Sequence, residues 1–141
     1  MNRIVLACVA GQDQPWLAEA AAELARELEA TVSVVAVDDA ESQRFEARPR
    51  DELIEAARDT ADRLAGLLAE RGVGADTHVR AGRGAGPVVA FADEVQADLI
   101  VVGAAGRDTG VVGRLLGSLP IELVKDAGRQ VLVVTDPGGG R

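Results

Sequence analysis

The stretch "DLIVVGAAGRDTGVVGRLLGSLP", residues 98–120, sets a short aliphatic run ahead of five glycines, with Ser118 directly after the last of them. Glycines at a strand exit leave backbone N–H groups open to approach, because no Cβ stands in the way. Gly103 and Gly106 are placed to do this where the chain leaves the strand. Gly117 and Ser118 then fall at the start of the next helix, where unpaired N–H groups and the helix dipole favour an anion. The Ser118 hydroxyl can cap that helix or bond a phosphate oxygen. Backbone-mediated phosphate binding is the chemistry this spacing suggests. The plainer reading, a loop closed by a serine cap, does not call for such an arrangement of glycines.

Other candidates weigh less. "AGRGAGP" (81–87) offers Gly82, Gly84 and Gly86, but its G-x-G-x-G spacing, the Pro87 at the place of a third fingerprint glycine and its position after the third strand fit a turn before a helix better than a dinucleotide fingerprint. "GRLLGS" has no Lys before its Ser, so no Walker A motif is present. His78 is the only histidine and has no second His or Cys near it, which makes it an ordinary, partly exposed strand residue rather than a metal ligand or triad member. Asp38 and Asp39 suit a turn, with a metal or ribose hydroxyls as the alternative. Cys8, the only cysteine, lies in an apolar run and reads as a buried small hydrophobe rather than a reactive thiol. It cannot form an intrachain disulfide, which suits a reducing compartment.

The elements that must position these residues follow from hydrophobic periodicity. Strands are predicted over 3–9, 31–39, 74–82, 98–103 and 129–136. The 74–82 strand is the most polar and belongs near a sheet edge; 98–103 reads as the most central. A helix follows the first strand, with Asp13 as N-cap, Pro15 in its first turn and Leu17, Ala20, Ala21, Leu24 and Leu28 on one face. A loop over 40–50 leads into a helix over 51–71 with Leu53, Ile54, Ala57, Ala61, Leu64 and Leu68 inward. A third helix over 86–97 turns Val88, Phe91, Ala92 and Val95 inward, and a short one over 118–127 carries Pro120 in its first turn. Strand and helix alternate throughout, the signature of an α/β fold: a parallel sheet between layers of helices. In such sheets ligands sit beyond the carboxyl ends of the strands where the strand order reverses, which directs attention to residues 9–12 and 103–118.

Composition narrows the function classes. At 141 residues the chain fits one domain, taken as 1–136, with a disordered tail over 137–141. The net charge of −8 argues against a nucleic-acid-binding surface, so any anionic ligand must be held locally. Aliphatic clusters are short, far from the roughly 18 apolar residues of a membrane helix. "MNRIVLACVA" lacks a signal-peptide pattern, and a soluble cytoplasmic protein is expected.

Taken together, "IVLACV", "VVAVDD", "VRAG", "ADLIVVGAAGR", "LLGS" and the final "VLVV" resemble the universal stress protein family over nearly the whole chain. ATP-binding members of that family carry G-x2-G-x9-G-(S/T) after strand four, and Gly103, Gly106, Gly117 and Ser118 match its landmarks. Ten residues stand between Gly106 and Gly117, one more than the motif has. Val9 occupies the place where nucleotide-binding members commonly have Asp, while Val37 matches the apolar position near adenine.

The resemblance implies a three-layer sandwich with a five-stranded parallel sheet in the order 3-2-1-4-5 and a homodimer paired through fifth strands. It further implies a stress-response regulator that binds ATP, with or without Mg²⁺. Phosphates would lie against Gly106, Gly117 and Ser118, Arg107 would add a charged contact, and adenine would pack near Val37. No general base is evident except Asp108, so a binder or switch is expected rather than a dedicated enzyme, with at most slow ATP hydrolysis. The alternative is a dimeric interaction module of the same fold that has lost nucleotide. A third reading, an enzyme related in layout to electron-transfer flavoproteins, lacks a substrate domain.

Overall fold

Val9, at the end of the first strand, stands in register with Val37, at the end of the second, and this alignment fixes the edge where the candidate site lies. The structure is a computed structural model that describes residues 2–38, 50–82, 84–104 and 118–136. Asp39, the predicted loop over 40–50 apart from its last residue, and the tail over 137–141 lie outside the described residues. So do Gly106, Arg107, Asp108 and Gly117.

In chain order the elements are β1 (Arg3–Val9), α1 (Pro15–Leu28), β2 (Thr31–Val37), α2 (Arg50–Glu70), β3 (Ala75–Arg80), α3 (Gly86–Val95), β4 (Leu99–Gly103), α4 (Ser118–Asp126) and β5 (Gln130–Val134). Every predicted element is present. The strands other than the first are shorter than the apolar patterns suggest.

The sheet is parallel throughout and runs β3-β2-β1-β4-β5, as expected. From β1 the chain moves outward through β2 to β3, then returns to the other side of β1 for β4 and β5. Right-handed crossovers therefore send the helices to opposite faces once the direction reverses. One face packs Leu17, Ala18, Ala21, Ala22 and Ala25 of α1 and Ala57, Ala61, Leu64 and Leu68 of α2. The other packs Val88, Phe91 and Ala92 of α3 and Leu119 and Leu123 of α4. The reversal lies between β1 and β4, both covered on two sides, and both read as continuous apolar runs.

The inward face of α1 differs from expectation. Leu17 and Ala21 are buried as predicted, but Ala18, Ala22 and Ala25 complete the stripe, whereas Leu28 is 43% exposed. Alanines let this helix approach the sheet and α2 closely, so the larger leucines are displaced to its flanks. Asp13 is not the cap: Gln14 is the N-cap residue, and no side chain caps the first turn. In α2, Ile54 is half-buried at the margin of the predicted stripe, as is Val95 in α3.

The two sheet edges differ. β3 is half-exposed and polar, with Ser33 of β2 donating to Asp76 Oδ1 at 2.8 Å and Asp76 Oδ2 lying 2.7 Å from His78 Nε2. His78 also rests on Phe91, ring centres 4.6 Å apart, which satisfies a partly exposed strand histidine without a metal. β5, at the other edge, is apolar and only half-covered. Among the described residues no helix is long and apolar enough to cross a membrane.

Candidate functional site

The carboxyl edge of the sheet is assembled from β1, β2 and β4 and from the first turn of α1. Beyond β1 the chain turns at once. Ala10 N–H donates to Val37 O at 2.9 Å, Gln12 N–H donates to Val9 O at 3.1 Å, and Gly11 N–H reaches Thr60 Oγ1 of α2 at 2.8 Å. Thr60 is buried and donates its own proton to Ala56 O at 2.9 Å, so its hydroxyl is committed to holding this turn. Gly11 has φ +88°, a conformation that an L side chain resists.

Val37 is 1% exposed and belongs to the core beneath α3, so its side chain supports the edge from below. Asp38, the next residue, is fully buried and accepts from Gly82 N–H through Oδ1 at 3.1 Å, tying the end of β2 to the loop after β3. Asp38 thus links two distant segments, while the turn it was expected to enter lies outside the described residues.

Gly103 ends β4, and the next N–H, of Ala104, donates to Val134 O at 2.8 Å. A Cβ on Gly103 would lie 2.8 Å from Trp16 Cη2 and 3.0 Å from Gln14 Oε1. The glycine thus lets the start of α1 close onto the end of β4. Ser118 opens α4. Of the sequence-predicted residues the structure describes Val37 and Gly103 in full and Ser118 as the first residue of its helix. Val37 and Gly103 stand at the same edge of the sheet, at the ends of β2 and β4 on either side of β1.

Sequence reasoning did not select Gln14 or Trp16. Gln14 is 7% exposed although polar, and Trp16 lies half-buried against the core under α1. A glutamine ahead of a proline belongs to no motif, and only its packing on Gly103 reveals it. Glu122 was also missed. Its Oε1 accepts from Ala85 N–H at 3.0 Å and would lie 2.5 Å from a Cβ on Gly84, whose φ is +76°. The carboxylate of α4 therefore occupies the N-terminus of α3, and Gly84 is needed to admit it. This accounts for the glycine-rich 81–87 segment as a turn, in place of a dinucleotide cradle.

Cys8 is buried, with Sγ 3.7 Å from Val35 O, and burial pushes its thiol up to about 12, with the Arg63 charge opposing only in part. It is chemically quiet at neutral pH, as its apolar setting in the sequence indicates. Among the described residues no three His, Cys, Asp or Glu side chains converge as a metal site would require.

This geometry can be set beside known proteins. The chain is 41% identical over 71 residues to universal stress protein MJ0531 of Methanocaldococcus jannaschii, a match spanning 50% of this chain and 41% of that relative's length. The universal stress protein of Archaeoglobus fulgidus superposes with a TM-score of 0.74 at 25% identity, covering 95% of this chain and 93% of that one. The A. fulgidus protein in complex with dAMP gives a TM-score of 0.68 at 26% identity, covering 95% and 98%. The model of the universal stress protein family matches residues 1–135, and this chain, whose sheet order and switch point agree with that match, belongs to the universal stress protein family.

Proposed function

We propose that this chain is a stress-response regulatory protein that binds an adenine nucleotide, with ATP as the physiological ligand, at the carboxyl edge between β1 and β4. The observation that carries this reading is the switch point itself: β1 and β4 are neighbours whose connections leave to opposite faces, opening a crevice beyond Val9 and Gly103. The dAMP complex of the A. fulgidus protein supports it, since that relative shares the fold at 26% identity. In this reading the phosphates lie toward Gly106, Gly117 and Ser118, with Arg107 beside them, and adenine lies on the Val37 side. Binding, without a dedicated reaction, is the proposed activity, and the switch operates in the cytoplasm. β5 pairs with β5 of a second copy, which would cover Val131, Leu132 and Val133 on the open edge.

One observation favours a second reading, an interaction module without nucleotide: Val9 ends β1 with an apolar, half-buried side chain where a polar contact would be expected. Calorimetry on nucleotide-stripped protein separates the two. Micromolar ATP binding, lost in a Gly117→Val, Ser118→Ala double variant, is the expected result. Absence of heat from folded wild-type protein, with and without Mg²⁺, would transfer the function to the dimer surface. Sedimentation of the same samples tests the β5 pairing, which predicts a dimer that a Leu132→Lys substitution dissociates.

A further inference from the structure

The two faces of the sheet are covered unequally at β5. On one face α4 seats Leu119 and Leu123 in the same core as Val131 and Val133. On the other, α2 lies over β2 and β3 and α1 reaches β4, so Leu132 projects beside α1 with 39% of its surface exposed. Alternation along the strand puts Val134 on that same face, where it packs against the core beneath α1. Between α1 and Leu132 runs an open groove of about 340 Å³, lined by Ala20, Glu23, Leu24, Glu27 and Leu132. Its floor is apolar, and its two charged lining residues are both carboxylates.

The charges on α1 are sorted by side. Toward the end of α2, Arg71 pairs with Glu19 at 3.0 Å and Arg26 donates to Arg71 O at 2.9 Å. Both of these cations are thereby committed away from β5. Glu23 and Glu27 make no ion pair among the described residues. β5 carries no charge, and Arg129 just before it turns to Ala92 O, Ala97 O and Asp93 of the other layer. An uncompensated anionic rim over an apolar floor selects a partner that is apolar with a cationic rim. Carboxylates one turn apart stand about 6 Å from each other along a helix, the separation of Lys or Arg side chains at i and i+4 on a facing helix. A second copy of this chain, with net charge −8 and the same carboxylates, is the poorer match. Pairing of β5 with β5 uses backbone groups in the plane of the sheet, so it would border this groove without roofing it.

We propose that the groove between α1 and β5 is a docking site for an amphipathic helix of another protein. The apolar stripe of that helix lies on Ala20, Leu24 and Leu132, and its flanking Lys or Arg side chains meet Glu23 and Glu27. The site is independent of the nucleotide-binding reading, since none of its residues belongs to the carboxyl edge of the sheet. Its small area makes the contact a transient one.

The probe is a synthetic amphipathic peptide about four helical turns long, a Leu stripe flanked by Lys, titrated into isotope-labelled protein and followed by backbone amide shifts. The shifts should concentrate on α1 and β5 and give a micromolar dissociation constant. Glu23→Lys, Glu27→Lys should weaken binding about tenfold or more, whereas Glu55→Lys, Asp59→Lys, the same charge change on α2, should alter it by less than about twofold. All four carboxylates are exposed, so neither double variant disturbs the core. Ala20→Phe, which fills the floor of the groove from a half-buried position without changing charge, should also weaken the peptide. Equal weakening by the two double variants would reduce the contact to diffuse charge attraction and overturn the proposal. Shifts centred on another surface, or no binding to folded wild-type protein, would overturn it as well. A changed sedimentation coefficient for Glu23→Lys, Glu27→Lys without peptide would assign the groove to a second copy instead.

Discussion

Helices α3 and α1 start near the same edge of the sheet, both with Pro in the first turn and neither capped by its own N-cap side chain. They differ in what completes them. At α3 a carboxylate from the chain itself, Glu122, accepts from the N–H of the N-cap residue Ala85, and the glycine before it is shaped to let that carboxylate in. At α1 the buried group is a neutral carboxamide with no hydrogen bond to the first turn. A helix start supplied with its own anion is finished architecture. The other start is closed by packing, with Gln14 and Trp16 set against Gly103.

The contrast can be broken by substitution. The largest effect should come from Gly84→Ala. Positive φ at a non-glycine costs about 1–2 kcal/mol, and displacement of the Glu122 carboxylate adds about 1 kcal/mol more. Urea titration should show a loss of about 2–3 kcal/mol with ligand affinity little changed. Gly103→Ala should cost about 1–3 kcal/mol through overpacking against Trp16 and Gln14, and on the proposed reading ATP affinity should fall as well, because the end of β4 moves. Glu122→Ala should lose about 1 kcal/mol and, combined with Gly84→Ala, lose less than the sum of the two, since truncating Glu122 relieves the clash that Gly84→Ala makes. Additive losses would mean that Glu122 does not serve the glycine segment.

The smallest effect lies at the opposite, amino-terminal end of the sheet, and sharpens the comparison by showing what a fully satisfied carboxylate does. Burial alone would raise the pKa of Asp76, but hydrogen bonds from His78, Ser33 and its own backbone N–H outweigh burial and hold it below the usual carboxylate range. A group depressed in the folded state stabilises the fold above its unfolded value, near about 3.9, and that contribution disappears as pH falls through the folded value. The stability gap between wild type and Asp76→Asn should therefore be present at neutral pH and close progressively below about pH 4. A gap that widens on acidification would contradict the assignment.

Much of this architecture was legible beforehand because it rests on local pattern. The apolar runs of β1 and β4, the polar β3 and the inward residues of α2 all follow from periodicity that the tertiary structure had no reason to override. The α1 stripe was read one step off because leucine is the stronger hydrophobe, whereas close approach to sheet and neighbouring helix selected alanine at 18, 22 and 25. The carboxyl edge was legible only in part. Gly103 announced itself by motif, but its second duty, accommodating Trp16 and Gln14 from a distant part of the chain, has no local signature. Glu122 acts on Ala85 across 37 positions, and nothing within reach of a spacing argument links them.

The contact of Trp16 with Gly103 has an optical consequence. The chain contains one tryptophan and no tyrosine, so virtually all of its near-ultraviolet emission originates from a single indole seated on the last residue of β4. Intensity and wavelength therefore report the state of that one place, without any attached label. A solution of the unmodified protein carries its own gauge of the packing between the start of α1 and the end of β4.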